Sequence, residues 1–177
     1  DPSAELLPCV PIADRIIPDG RRGAPFIATA FNLDDWQNKN IGNLIAAAVK
    51  ARAIFPKLRL EIAGSGSQAS QDAVGKLIAR YQAAGFVQCI GRLQADSIQD
   101  WMSLAAVFAL PSRRESFGMV FLEALLAGTP VIFPAGAAID GWFEDKPFAR
   151  AVNAASVDDL AKALIEILQH EKPIRAS

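Results

Sequence analysis

The sequence predicts an α/β fold: a Rossmann-like parallel sheet flanked by helices. Three observations carry that expectation. Short apolar runs of strand length alternate along the chain with longer stretches whose apolar residues recur at helical spacing. Glycine, proline or polar residues end each strand run and open each helix, so the two kinds of element are cleanly punctuated. The polar and glycine-rich residues with chemical potential fall in the loops that follow strands, which is where ligands bind in such sheets.

Residues 1–25 hold five prolines (Pro2, Pro8, Pro11, Pro18, Pro25) and little periodicity, and read as a linker or edge segment. Residues 26–177 then form the folded domain. Phe26–Ala30 is the first strand, and Phe31–Asn40 is loop. From Ile41 the residues Leu44, Ile45, Ala48, Val49 and Phe55 keep helical spacing until Pro56 stops them. Leu58–Ala63 alternates as a strand, Gly64-Ser65-Gly66 turns, and a helix runs from about Ser70 to Ala84 with Gly85 as its stop. Phe86–Ile90 is a strand closed by Gly91. Ser97-Ile98-Gln99-Asp100 resembles a capping box opening a short helix to Leu104. Val107–Leu110 is strand, Ser112–Ser116 loop, Phe117–Ala127 helix closed by Gly128, and Pro130–Phe133 strand. After a loop at Pro134–Ala138 and a polar stretch at Asp140–Lys146, Ala149–Val152 is a last strand. Ser156 caps an amphipathic helix carrying Leu160, Leu164 and Leu168.

Composition narrows the function. With 177 residues the chain can bury a real core. Lys+Arg 18 against Asp+Glu 19 lacks the basic excess of a nucleic-acid binder. Two cysteines, Cys9 and Cys89, make no disulfide framework, and Cys89 in its apolar run reads as a buried free thiol suited to a reducing, cytoplasmic compartment. Peripheral association at the inner face of a membrane stays open. The single histidine, His170, reads as surface; three-His metal sites and histidine triads are hard to build, and no metal or cofactor is expected. No stretch approaches the roughly 18 apolar residues of a membrane span. The start at Asp1, without a signal peptide or an initiator Met, reads as that of an excised domain or mature fragment.

One residue is out of place. Glu123 is the only charge between Phe117 and Gly128, and its helical neighbours Met119, Val120, Leu126 and Ala127 are apolar. A carboxylate buried on such a face must find a partner. Two turns back lie Ser116 and Glu115, about 12 Å away along a continuous helix. A carboxylate at the loop mouth, backbone N–H groups at a helix start and a second carboxylate in the helix therefore share one line. Carboxylates accept from sugar hydroxyls, and helix N-termini attract phosphate. Equally, Glu123 could pair with a basic side chain from elsewhere and Glu115 could be solvated loop.

Glu115 and Glu123, within P-S-R-R-E-S-F-G-M-V-F-L-E-A-L-L-A-G-T-P-V-I, resemble the E-x7-E signature of group 1 retaining glycosyltransferases. That resemblance spans about Pro8 to His170 and implies one half of a GT-B fold. It makes a nucleoside-diphosphate sugar the substrate, with Glu123 on the ribose. Glu115 is the implied catalytic residue, contacting the transferred hexose together with Ser116 and the Phe117, Gly118 and Met119 backbone, which also meets the phosphates. It places Lys39 at the diphosphate, Gly64 and Gly66 along the donor, and Gly91 with Arg92 beside the base. The acceptor (glycan, lipid-linked or small molecule) would be met by an N-terminal domain upstream of residues 1–25. Without that domain the chain is expected to be inactive in transfer.

Departures from the pattern matter too. Asn32 stands where the family has an arginine, and the loop to Lys39 is longer and more acidic, which weakens the positive field a diphosphate wants. Arg92, Arg113 or Arg114 could compensate. Gly64-x-Gly66-x-x-Ala69 fits a dinucleotide pattern, but no acid follows the next strand, so NAD is disfavoured. A tight turn accounts for these glycines equally well. Gly136 and Asp140 depart from the family's Gly-Gly and Glu and carry no assigned role. Trp36, Trp101 and Trp142 read as packing or contacts to another domain. Two alternatives remain: a nucleotide-sugar epimerase of the same fold, and a degenerate, non-catalytic binding domain.

Overall fold

The computed structural model describes residues 24–143 and 146–170; the proline-rich segment before residue 24 lies outside them. The six strands are β1 (Phe26–Ala30), β2 (Arg59–Ala63), β3 (Val87–Gly91), β4 (Val107–Ala109), β5 (Val131–Pro134) and β6 (Ala149–Val152). They form one sheet in the order β3-β2-β1-β4-β5-β6, with every pairing parallel. The helices are α1 (Ile41–Arg52), α2 (Gln68–Arg80), α3 (Ala95–Leu104), α4 (Met119–Leu126) and α5 (Val157–His170).

Strand alternation sorts side chains into two apolar layers. Ile27, Leu60, Val107 and Ile132 point to one face and pack with α1, α2 and α5. Ala28, Phe108, Val131 and Phe133 point to the other and meet Trp101 and Met102 of α3 and Phe121 and Ala124 of α4. A parallel sheet needs such cover on both faces, because each crossover returns over it. The α/β, Rossmann-like expectation is met.

Several boundaries moved for local reasons. α1 ends at Arg52 rather than Phe55, with turns carrying the chain to Pro56. α2 begins at Gln68, two residues before the expected Ser70, and Ser67 caps it by accepting from the Ser70 N–H. That helix stops where Gln82 turns left-handed (φ 53°), and Gly85 has no part in it. The Ser97–Asp100 capping box is not a cap: the N-cap lies three residues earlier, at Gln94, and Ser97 lies inside the first turn of α3. Ser156 does cap α5, accepting from the Asp159 N–H at 3.1 Å. Cys89 is only half-buried rather than buried, because β3 is an edge strand. His170 is exposed at the end of α5.

Thr29 in β1 is fully buried, and its hydroxyl has no hydrogen-bond partner among the described residues. An unsatisfied buried hydroxyl is a standing cost. Thr29→Val keeps the β-branch and removes that cost, so the urea midpoint should rise by the equivalent of about 1 kcal/mol. A fall of that size would mean the hydroxyl is satisfied after all.

Candidate functional site

The strand order reverses between β1 and β4. The chain leaves β1 for α1 on one face and β4 for α4 on the other, so the loops after these two strands diverge around a crevice at their carboxyl ends. In the loop after β1, Leu33–Asp35 is a turn of 3-10 helix capped by the Asn32 side chain, which accepts from Asp34 N–H at 3.0 Å. Asn32 is therefore committed to its own loop.

The two loops are joined across the crevice. Asn38 accepts from Arg113 N–H through its carbonyl oxygen at 2.7 Å and from Arg114 N–H through Oδ1 at 3.2 Å. Its Nδ2 donates to the Arg114 carbonyl at 3.3 Å and to Asp35 Oδ2 at 3.1 Å. Beside this join, Lys39 Nζ donates to Glu115 Oε2 at 3.1 Å, and Ser112 Oγ donates to the same oxygen at 3.1 Å. Lys39 also lies 3.9 Å from Asp35 Oδ2. The Lys39 and Glu115 side chains are only 19% and 12% exposed, so Glu115 is not a solvated loop acid. Arg113 and Arg114 are exposed and make no ion pair among the described residues.

Past this loop comes α4. Gly118 precedes it with φ +66°, and no side chain caps it and no acid lies in its first turn, leaving its leading amides free of side-chain partners. Ser116 and Phe117 lie exposed before it, and Gly118 is buried against the Phe121 ring. Glu123 differs from expectation: it is exposed, and its side chain makes no hydrogen bond or ion pair among the described residues. Its neighbours Met119 and Leu126 are 60% and 82% exposed. The helix is short and faces the sheet through Phe121, whose ring sits 6.0 Å from that of Phe108 and 5.9 Å from that of Phe133. The Glu123 face therefore points away from the core, and no buried partner is required.

A second group lies on the other side of the β1 loop. A pocket of about 610 Å³ opens at the carboxyl ends of β1–β3, lined by Phe31, Asn32, Asp34, Gly64, Gly66 and Arg92, with Leu93 and Ile98 as apolar wall. Gly64 N–H donates to the Gly91 carbonyl at 2.8 Å, tying Gly91 to the same place. Gly66 has no room for a side chain: a Cβ there would lie 2.8 Å from Leu33 Cβ. Asp34 Oδ1 accepts from Ser67 Oγ at 2.7 Å and Ser67 N–H at 2.9 Å. The Ser67 hydroxyl, then the Ser67 amide and Ser70, hold the Asp34 carboxyl below the usual carboxylate range. A lowered folded pKa means this link is intact above the ordinary range and is lost only as pH falls below it.

The expected site residues thus form two clusters sharing one loop: Gly64, Gly66, Gly91 and Arg92 around the pocket, and Lys39 with Glu115 and Ser116–Met119 at the β1/β4 crevice, with Glu123 exposed farther along α4. Three residues here went unnoticed in the sequence, namely Asn38, Ser112 and Asp34. Only Ser112 carried a local signal, three residues ahead of Glu115. Asp140 is spent on its own loop, accepting from Gly136 N–H at 2.6 Å. Trp101 is packed, Trp36 partly so, and Trp142 is 69% exposed. No helix among the described residues is long and apolar enough to cross a membrane.

Comparison with known proteins adds context to this geometry. The family model for glycosyl transferases group 1 matches residues 24–176. The chain is 27% identical over 172 residues to the phosphatidylinositol N-acetylglucosaminyltransferase gpi3 subunit of Schizosaccharomyces pombe, covering 94% of this chain and 37% of that protein. It is 31% identical over 140 residues to the phosphatidyl-myo-inositol mannosyltransferase of Mycolicibacterium smegmatis, covering 78% of this chain and 35% of the relative. Sucrose-phosphate synthase from Thermosynechococcus elongatus superposes with a TM-score of 0.75 at 24% identity, over 86% of this chain and 38% of that one, a likeness of fold. The chain spans about a third of the length of these curated relatives.

Proposed function

The chain belongs to the group 1 glycosyl transferases, and from that premise we propose that it is the donor-binding part of a retaining glycosyltransferase, which moves a hexose from a nucleoside-diphosphate sugar to an acceptor hydroxyl. The observation that carries this reading is the crevice at the strand-order reversal, where Lys39 and Glu115 meet at 3.1 Å beside the open start of α4. A cation, a carboxylate and free amides within one mouth suit a ligand that is a phosphate at one end and a polyol at the other.

In this reading the base enters the pocket beside Gly91 and Arg92, with Gly64 and Gly66 along it. The diphosphate lies at Lys39 and the Phe117–Met119 backbone, the hexose at Glu115, and the ribose at Glu123. The exposure of Glu123, and its lack of a partner among the described residues, leave its carboxylate available to two vicinal hydroxyls. Catalysis is then positional and electrostatic: the site holds the departing nucleoside diphosphate while the acceptor attacks. The acceptor, whether glycan, lipid-linked or small molecule, is met by protein outside this chain. The setting is cytoplasmic, with any membrane contact made at the inner face.

Titration of the chain with UDP, GDP and ADP tests this reading. One nucleotide should bind, and Glu123→Ala should weaken it about tenfold or more through loss of charge-assisted hydrogen bonds to the ribose. No binding by any of the three would favour a degenerate, non-catalytic domain, a reading supported by the commitment of Asn32 to its own turn. The chain alone should transfer no sugar, and detectable transfer would contradict the division of labour proposed here.

A further inference from the structure

The loops flanking the crevice carry three acids, Asp34, Asp35 and Glu115, and three bases, Lys39, Arg113 and Arg114. Empty, the crevice is charge-balanced. Its best-buried cation is already engaged, since Lys39 is 3.1 Å from Glu115 and 3.9 Å from Asp35. A diphosphate that draws on Lys39 must compete with these two carboxylates. Glu115 would then be left 12% exposed with Ser112 Oγ as its remaining donor, and a poorly compensated, half-sequestered carboxylate is costly.

Resting on the donor-site reading above, we infer that Glu115 is the site's internal counter-ion, and that the sugar of the donor relieves it. When the intact donor binds, hexose hydroxyls donate to Glu115 and replace the lysine, freeing Lys39 for the phosphates. When the bare nucleoside diphosphate binds, no hydroxyl replaces Lys39, and either the carboxylate is stranded or the phosphate goes without its cation. The Lys39–Glu115 pair therefore makes the phosphate and sugar halves of the ligand depend on one another. It selects the sugar-bearing donor over the spent nucleotide, which speeds the departure of the latter. The arrangement predicts an unusual sign: neutralising an acid at the site should improve binding of the smaller ligand.

The test is calorimetric titration of the 177-residue chain with UDP, GDP and ADP, and then with the hexose conjugate of whichever binds (UDP-glucose, GDP-mannose or ADP-glucose). Glu115→Gln should tighten the bare nucleotide about three- to tenfold, as expected for removing one opposing charge near the phosphates. The same change should leave the conjugate unimproved or weaker, so that the preference for the conjugate collapses. Asp35→Asn should move the bare nucleotide in the same direction by less, and it serves if Glu115→Gln disturbs the loop. Asp158→Asn is the charge control: Asp158 is exposed on α5 and pairs with Lys50 of α1, outside both loops, and its neutralisation should change neither affinity. Bare-nucleotide binding that is unchanged or weaker in both Glu115→Gln and Asp35→Asn overturns the inference and leaves the donor-site reading standing. So does equal tightening by Asp158→Asn. If the wild-type chain binds no nucleotide at all, the donor-site reading itself falls and this inference falls with it.

Discussion

Gly64→Ala is expected to cost about 3–5 kcal/mol, enough to leave little folded protein. A Cβ at this position would lie 1.9 Å from the Phe31 carbonyl oxygen, an impossible approach to a backbone atom. The residue also sits at φ +146°, which side-chain-bearing residues rarely adopt. Relaxation is blocked on three sides. Phe31 N–H donates to the Ala63 carbonyl at 3.1 Å, Leu33 N–H to Ser65 at 3.0 Å, and Gly64 N–H to Gly91 at 2.8 Å. Moving the Gly64 backbone would break the sheet-like zipper between three strand ends. Gly75→Ala, within α2 and with open space around its Cα, is the matched control and should gain about 0.5–1 kcal/mol. Thermal melts of the two variants give the comparison. A Gly64→Ala chain melting within a few degrees of wild type would show that these loops can part more easily than their geometry allows.

Glu61→Ala, at a charged position inside the sheet, should cost about 2–4 kcal/mol. Glu61 lies in the middle of β2, 3% exposed. Arg59 Nη1 donates to its Oε1 at 2.7 Å and Trp101 Nε1 to its Oε2 at 2.9 Å. Alanine would leave the Trp101 N–H without this acceptor in a sealed place and would deprive Arg59 of its counter-charge. Arg59 is a third exposed and rests over the Phe26 ring at 5.4 Å, which limits the loss on that side. Trp101→Phe should cost less, since it removes a donor and leaves the ion pair intact. The urea midpoint should fall in both variants while the slope of the transition stays constant. An unchanged midpoint for Glu61→Ala would mean that the pair only offsets its own desolvation.

The strands were legible because each is a short apolar run between strong breakers, and their parallel order followed from the alternation with helices. Helix ends were less so. Gln82 takes the left-handed turn that Gly85 was expected to make, because the chain must fold back before Phe86 to enter β3. Glu61 shows the limit of alternation. In Leu58–Ala63 the residues Arg59 and Glu61 alternate with apolar ones, yet α3 covers that face and Trp101, forty positions away, donates to the acid. At the site, Glu115 and Glu123 stood out by chemistry and spacing. Their surroundings did not. That Glu123 faces outward depends on which side of a short helix meets Phe108 and Phe133. That Lys39 reaches Glu115 depends on two strands, 76 positions apart at these residues, lying side by side.

Asn38 is the least conspicuous residue of the crevice, a polar side chain in a polar loop. By bonding on both edges to the Arg113–Arg114 backbone it makes the loops after β1 and β4 behave as one body. Two segments that would otherwise fluctuate independently are held together before any ligand arrives. The conformational entropy of bringing them into register is then met during folding rather than at binding. A ligand entering the mouth has only to exchange partners within a frame that already stands.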